Sequence, residues 1–225
     1  MFRSIHEMQD EVEKTREYFI EWYEAGEVEE KVKESAEFVS NYLEDAIVSV
    51  SGGKDSMVLL HVIYNRVSKD ITIFHWDNGI LMPRDVEQEV LHNIRSVAPD
   101  ARMIIKKWNP EKYYYREFFG FLSKLGAKHH ILGIRAEEAR RRKARGRVCV
   151  RKNWIEVHPL FYFTWRDVWA YVFKHSVPVP SVYLRYAKLI GWDKVRFATF
   201  HDQELERFGN LVLDSFLMWR SKSHR

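Results

Sequence analysis

Six consecutive residues, Ser51-Gly52-Gly53-Lys54-Asp55-Ser56, have the types and spacing to handle a phosphate. They follow the apolar run Ala46-Ile47-Val48-Ser49-Val50 and precede Met57-Val58-Leu59-Leu60-His61-Val62-Ile63-Tyr64, which reads as a helix. Glycines let the backbone come close to an oxyanion. The first N–H groups of a helix point at such a ligand, and the helix dipole favours its negative charge. Ser51, Ser56 and Lys54 add donors, and Asp55 is a candidate for holding Mg²⁺ on the phosphates. Two other phosphate loops are excluded. The G-x-x-x-x-G-K-[ST] pattern needs Gly at position 48 and Ser or Thr at position 55, where this chain has Val48 and Asp55. No G-x-G-x-x-G follows a strand. The alternative is a bare strand-to-helix turn, against which six matching residues in the right context argue.

The elements that must position this loop alternate. Apolar runs predict strands over Ala46–Val50, Ile71–Trp76, Ala101–Lys107, His130–Ile134 and Trp154–His158. Helices are predicted over Asp55–Val67, Pro83–Val97, Lys112–Leu125 and Trp165–Lys174, with Ala136–Ala144 helical or partly mobile. The alternation predicts an α/β fold with a mostly parallel sheet flanked by helices. Two helices over 5–24 and 27–43 precede it, and a terminal helix over Leu205–Trp219 follows. Three regions result: N-terminal helices (1–45), the nucleotide-binding domain (46–187) and a helical extension packed on it (188–225). In such sheets ligands sit beyond the carboxyl ends of the strands. Asp77-Asn78-Gly79 and Gly133-Ile134-Arg135 fall there, as the Ser51–Ser56 loop does.

Composition narrows the class. At 225 residues, 46% hydrophobic and 30% charged, the chain is long enough for one sizeable globular core. No apolar run reaches membrane-span length, and the N-terminus lacks the apolar centre of a signal peptide, so a cytoplasmic protein is expected. One cysteine, Cys149, excludes an intrachain disulfide and a cysteine-ligated zinc or iron–sulfur site within one chain. Charge is uneven: residues 1–45 carry 14 acidic and 5 basic side chains, while nine basic residues lie between Arg135 and Lys152 against Glu137 and Glu138. That focus suits a polyanion, whether nucleotide or nucleic acid, and Arg140, Arg141 and Arg142 are the candidates for nucleic acid. A solvated helix face would give the same run of charge.

The loop resembles the S-G-G-x-D-S signature of the PP-loop ATP pyrophosphatases, which bind ATP or a related adenine nucleotide. Four further stretches resemble the phosphoadenosine phosphosulfate (PAPS) reductase-like branch, which includes the small subunit of ATP sulfurylase and FAD synthetase. They are Asp77-Asn78-Gly79; Gly133-Ile134-Arg135 through Arg141; Pro159-Leu160 with Trp165-Arg166-Asp167-Val168-Trp169-Ala170-Tyr171; and Val177-Pro178-Val179-Pro180-Ser181-Val182-Tyr183. Five elements in one order cover residues 46–187. The resemblance implies that Ser51, Gly52, Gly53, Lys54, Asp55 and Ser56 cradle phosphates, and that Asp77 and Gly79 lie near the adenosine. It implies that Gly133 and Arg135 meet phosphate or sulfate oxygens, with Lys54, Asp55 and Arg135 as the catalytic set. For Arg135 the alternative is an ion pair with Glu138.

The departures decide between activities. PAPS reductases carry a cysteine in a C-terminal E-C-G-x-H segment, and this sequence has no cysteine after Cys149. Thiol-dependent reduction is therefore not expected. Attack on the α-phosphorus of ATP, with pyrophosphate leaving, needs positioning, Mg²⁺ and cations but no thiol. The resemblance thus implies Mg²⁺-dependent adenylyl transfer to an unidentified acceptor, in an enzyme of sulfur or flavin metabolism that is free to form an oligomer. The alternatives are a PP-loop tRNA-modifying enzyme and a nucleotide-binding regulator without turnover.

Overall fold

The computed structural model describes residues 5–79, 82–183, 186–187 and 191–195, with side chains from residue 13 onward. Six strands form one sheet: β1 (Ala46–Ser49), β2 (Thr72–Asp77), β3 (Arg102–Lys107), β4 (His129–Leu132), β5 (Val148–Val150) and β6 (Ile155–Val157). Their order is β3-β2-β1-β4-β6-β5. All pairings are parallel except β5 with β6. The chain therefore runs outward from β1 through β2 to β3, then returns to the other side of β1 with β4. The reversal opens a crevice between the carboxyl ends of β1 and β4, where α/β sheets place their ligands.

Among the described residues, seven α-helices surround the sheet: α1 (Ile5–Glu24), α2 (Glu27–Ser40), α3 (Lys54–Arg66), α4 (Arg84–Val97), α5 (Tyr114–Leu125), α6 (Arg140–Lys143) and α7 (Trp165–Lys174). Strand alternation divides the core in two. Val48, Ile73, Ile131 and Val157 join α1, α2, α3, α4 and α7 in the larger cluster, whose heart is Leu59, Leu60, Ile63, Trp169 and Tyr171. Ile47, Phe74 and Trp76 face the other way, onto Trp108, Leu122 and the aromatic side of α5. Helix α3 is buried nearly all round, as an apolar run interrupted only by His61 requires.

The expected fold class is present, and three local expectations need correction. Strand β5, Val148–Val150, was not foreseen. It is three residues long, pairs on one side only and keeps Val148 and Val150 exposed, so it shows neither length nor alternation in the sequence. The segment 136–144, expected to be helical or partly mobile, breaks at Ala139, which is extended at φ −165° and separates a 3₁₀ turn (Ala136–Glu138) from α6. The strand expected to reach Ile134 ends at Leu132, which frees Gly133, Ile134 and Arg135 to turn toward β1. The helix expected over Leu205–Trp219 lies outside the described residues. Among the described residues no helix is long and apolar enough to cross a membrane.

Candidate functional site

The Ser51–Ser56 loop leaves β1 at the crevice and enters α3. Two features make it tight. Gly52 sits at φ +85°, and a Cβ there would lie 2.4 Å from a methyl carbon of Val90 on α4. Gly53 is the extended N-cap of α3, and the Met57 N–H closes the first helical turn on its carbonyl at 2.9 Å. The first-turn N–H groups have no intrahelical acceptor. That of Lys54 is taken by the Tyr183 hydroxyl at 3.2 Å. The Ser51 and Ser56 hydroxyls lie 3.2 Å apart, and Ser56 Oγ donates to the Gly53 carbonyl at 2.8 Å.

Charge converges on Asp55. Its Oδ2 accepts from Lys54 Nζ at 3.0 Å, and its Oδ1 accepts from Arg135 Nε. Arg135 also donates to Glu137 at 2.7 Å and faces Glu138 at 3.7 Å. Burial by itself would raise the Asp55 carboxyl, but the Lys54 and Arg135 cations outweigh it and hold the group well below the ordinary carboxylate range. Burial likewise works against the Arg135 charge, and Asp55 with Glu138 more than restores it. Burial pushes the Tyr183 phenol well above its ordinary value, and the Asp55 carboxylate adds to the effect. The side chains of Lys54 and Arg135 are only 2% and 3% exposed. Asp55 thus stores two cations side by side at the mouth of the crevice.

Sequence reasoning placed several residues here for reasons the geometry sharpens. The pairing of Arg135 with Glu138 is present at 3.7 Å, yet Asp55 and Glu137 are its nearer partners. Gly133 has a packing reason of its own: a Cβ there would lie 2.9 Å from the Asp55 carbonyl, so the chain leaving β4 passes directly against the start of α3. Asp77 turns back on its own loop. It accepts from the Gly79 N–H at 2.7 Å and from Arg84 at 3.0 Å, while Gly79 takes φ +64°. Of the three arginines, Arg142 pairs with Glu138, whereas Arg140 and Arg141 are exposed. Cys149 is half-buried on β5. Three strand positions separate β5 from β1, roughly 14 Å at the usual interstrand spacing.

Mg²⁺ does not fit Asp55 as this carboxylate stands. Each of its oxygens already faces a cation, and a divalent ion there would sit between Lys54 and Arg135. Among the described residues no group of three or more His, Cys, Asp or Glu side chains is arranged to hold a metal.

Three partners of the site escaped the sequence reading. Tyr183 was visible only as the end of a Pro-rich motif. The others, His75 and Glu87, are both about 1% exposed and meet at 2.7 Å, and His75 Nδ1 lies 2.7 Å from the Val50 carbonyl, immediately before the loop. The Val50 carbonyl and the Glu87 carboxylate thus hold the ring from both sides. A histidine inside an apolar strand and a glutamate in a helix's first turn give no sign of each other in sequence.

Comparison with known proteins places this geometry. The family model for the phosphoadenosine phosphosulfate reductase domain matches residues 45–192. A curated relative from Bacillus mycoides, an adenosine 5′-phosphosulfate reductase, is 27% identical over 161 residues, covering 62% of this chain and 68% of the relative. One of the same name from Bacillus cereus is 28% identical over 159 residues, covering 61% and 67%. Among solved structures, the FMN adenylyltransferase of Candida glabrata is similar at TM-score 0.57 and 15% identity, over 69% of this chain and 59% of that one. The PAPS reductase of Candida auris is similar at TM-score 0.50 and 17% identity, over 69% and 84%. The fold is that of the PP-loop superfamily, and the chain belongs to its phosphoadenosine phosphosulfate reductase domain family.

Proposed function

We propose that the chain binds ATP in the Ser51–Ser56 loop and transfers the adenylyl group to an acceptor, releasing pyrophosphate. The observation that carries this reading is the convergence of a helix-start loop, Lys54 and Arg135 at the reversal point of the sheet. An incoming polyphosphate competes with Asp55 and Glu137 for the same two cations. An acceptor oxygen attacks the α-phosphorus and a new P–O bond forms. The bond to the bridging oxygen breaks, and its electron pair leaves with pyrophosphate. Lys54 and Arg135 balance the charge that builds on these oxygens, and such fixed electrostatic stabilisation commonly supplies the largest share of a rate. No thiol is needed, and the Cys149 thiol is carried on the far edge of the sheet.

The likeness to FMN adenylyltransferase supports the reading, since that protein has been solved with FMN and an ATP analogue and with FAD and inorganic pyrophosphate. The test is pyrophosphate release from labelled ATP with FMN or sulfate as acceptor. Acceptor-dependent release that is lost in Lys54→Ala is expected. ATP binding with no release for any acceptor would make the chain a nucleotide-binding regulator instead. A second reading, reduction of an adenosine phosphosulfate, is favoured by the names of the curated relatives. Thioredoxin-dependent sulfite release that disappears in Cys149→Ser would establish it.

A further inference from the structure

We propose that the outer face of α5, together with the turn between β5 and β6, binds single-stranded RNA. Tyr115 and Phe119 stand one helical turn apart on α5 and are 45% and 46% exposed. Their rings are near-parallel, with centroids 6.4 Å apart and planes inclined by 19°. Trp154, from the turn, continues the row at 6.3 Å and 16° from Phe119. Trp154 is half-buried against the core, but the exposed rings of Tyr115 and Phe119 are not explained by it, since α5 already fills it with Phe118, Phe121 and Leu122. Flat faces of this kind accept unpaired bases with little regard for their sequence.

Two independent features point to the same ligand. Gly120 lies in the middle of α5, where glycine costs about 1 kcal/mol relative to alanine. A Cβ at Gly120 would meet no atom within 4 Å, so packing does not demand the glycine. It leaves bare backbone beside Phe119, with room for a flat ring. Around the row stand Lys112, Arg116, Lys124, Lys128 and Lys152, all exposed. Lys112 shares the field of Glu117, which Lys106 and the Asn109 N–H already hold, and the other four form no ion pair among the described residues. Such a cluster matches a phosphate backbone and disfavours pairing with a second copy of the same face. RNA is preferred over DNA because Ser123 and Asn153, joined at 3.1 Å on this exposed side, offer donor and acceptor to a ribose 2′-hydroxyl.

The test is fluorescence anisotropy of the full chain with a labelled oligouridylate of about a dozen nucleotides, beside oligothymidylate and a duplex. The oligouridylate should bind most tightly. Phe119→Ala should weaken it about tenfold with little change in salt dependence. Arg116→Ala with Lys124→Ala should lower the slope of log affinity against log salt by about 1.4. ATP affinity and melting temperature should hold in both variants, which separates this face from the Ser51–Ser56 loop. The proposal is overturned if the oligouridylate does not bind at low salt, if oligothymidylate or duplex binds as well or better, or if neither variant changes the affinity. It is equally overturned if the face instead takes up anionic lipid vesicles or a second copy of the chain without binding the oligouridylate.

Discussion

At the scale of single residues, the site is a balance of two cations against Asp55, with Glu137 and Glu138 also drawing on Arg135. Lys54→Ala should lower ATP affinity about tenfold, within the range for a charge-assisted hydrogen bond, as read by titration calorimetry. Arg135→Ala should lower it too and leave the Asp55 carboxylate with Lys54 alone. Unchanged affinity in Arg135→Ala would reduce this residue to a structural partner of its carboxylates. The glycines separate legible from illegible. Gly52 and Gly53 were readable because an anion loop demands backbone approach. Gly133 was readable only as part of a motif, and its contact with the backbone of Asp55 could not be seen without the crossing of α3 by the chain leaving β4. Gly133→Ala should therefore cost about 1–3 kcal/mol of stability as overpacking, and should weaken ATP binding because the atoms displaced belong to the loop. Urea unfolding and calorimetry on the same variant would measure both.

At the scale of elements, helix identity was legible wherever the apolar stripe was long. Relations between elements were not. Asp167 shows the difference. In sequence it is one letter of the Asp-Val-Trp motif. In the fold it caps α7 with Thr164, accepts from Trp22 of α1 at 3.1 Å and meets Lys31 of α2 at 2.8 Å. One carboxylate thus pins both N-terminal helices to α7. Asp167→Ala should cost about 3 kcal/mol, the usual consequence of breaking a buried charged pair. The loss should appear as a lower urea midpoint, whereas truncating the exposed Lys33–Glu30 pair should change little. His75 and Glu87 tie α4 to β2 in the same manner, below the loop. Strand β5 was missed because it pairs on one side only and shows its valines to solvent, leaving no pattern to detect.

At the scale of the whole molecule, the uneven charge seen in sequence becomes an interface. The acidic helices α1 and α2 meet the basic body through Glu24 with Lys174, Glu29 with Arg66, Glu34 with Arg147, and the reversed pair Lys31 with Asp167. The arrangement gives acid sensitivity a definite sign. For Asp167, burial favours the neutral acid, but Lys31, the Thr164 N–H and Trp22 outweigh it and hold the carboxyl below its ordinary value. For Glu156, burial is likewise outweighed, by His158 and Arg151, and the carboxyl lies at about 2. A carboxyl that ionises more readily in the folded state contributes stability that is complete above its unfolded pKa and fades as pH falls through its folded one. Stability should therefore hold from neutral pH down to the ordinary carboxylate range, then fall steeply toward about pH 2. Asp167→Asn should start lower at neutral pH and lose less on acidification, because the residue that titrates is gone. Urea midpoints of the two chains across that range test this. Parallel curves would show that Asp167 does not drive the acid transition, and would shift the burden to Glu156 and its arginines at the β5 edge of the sheet.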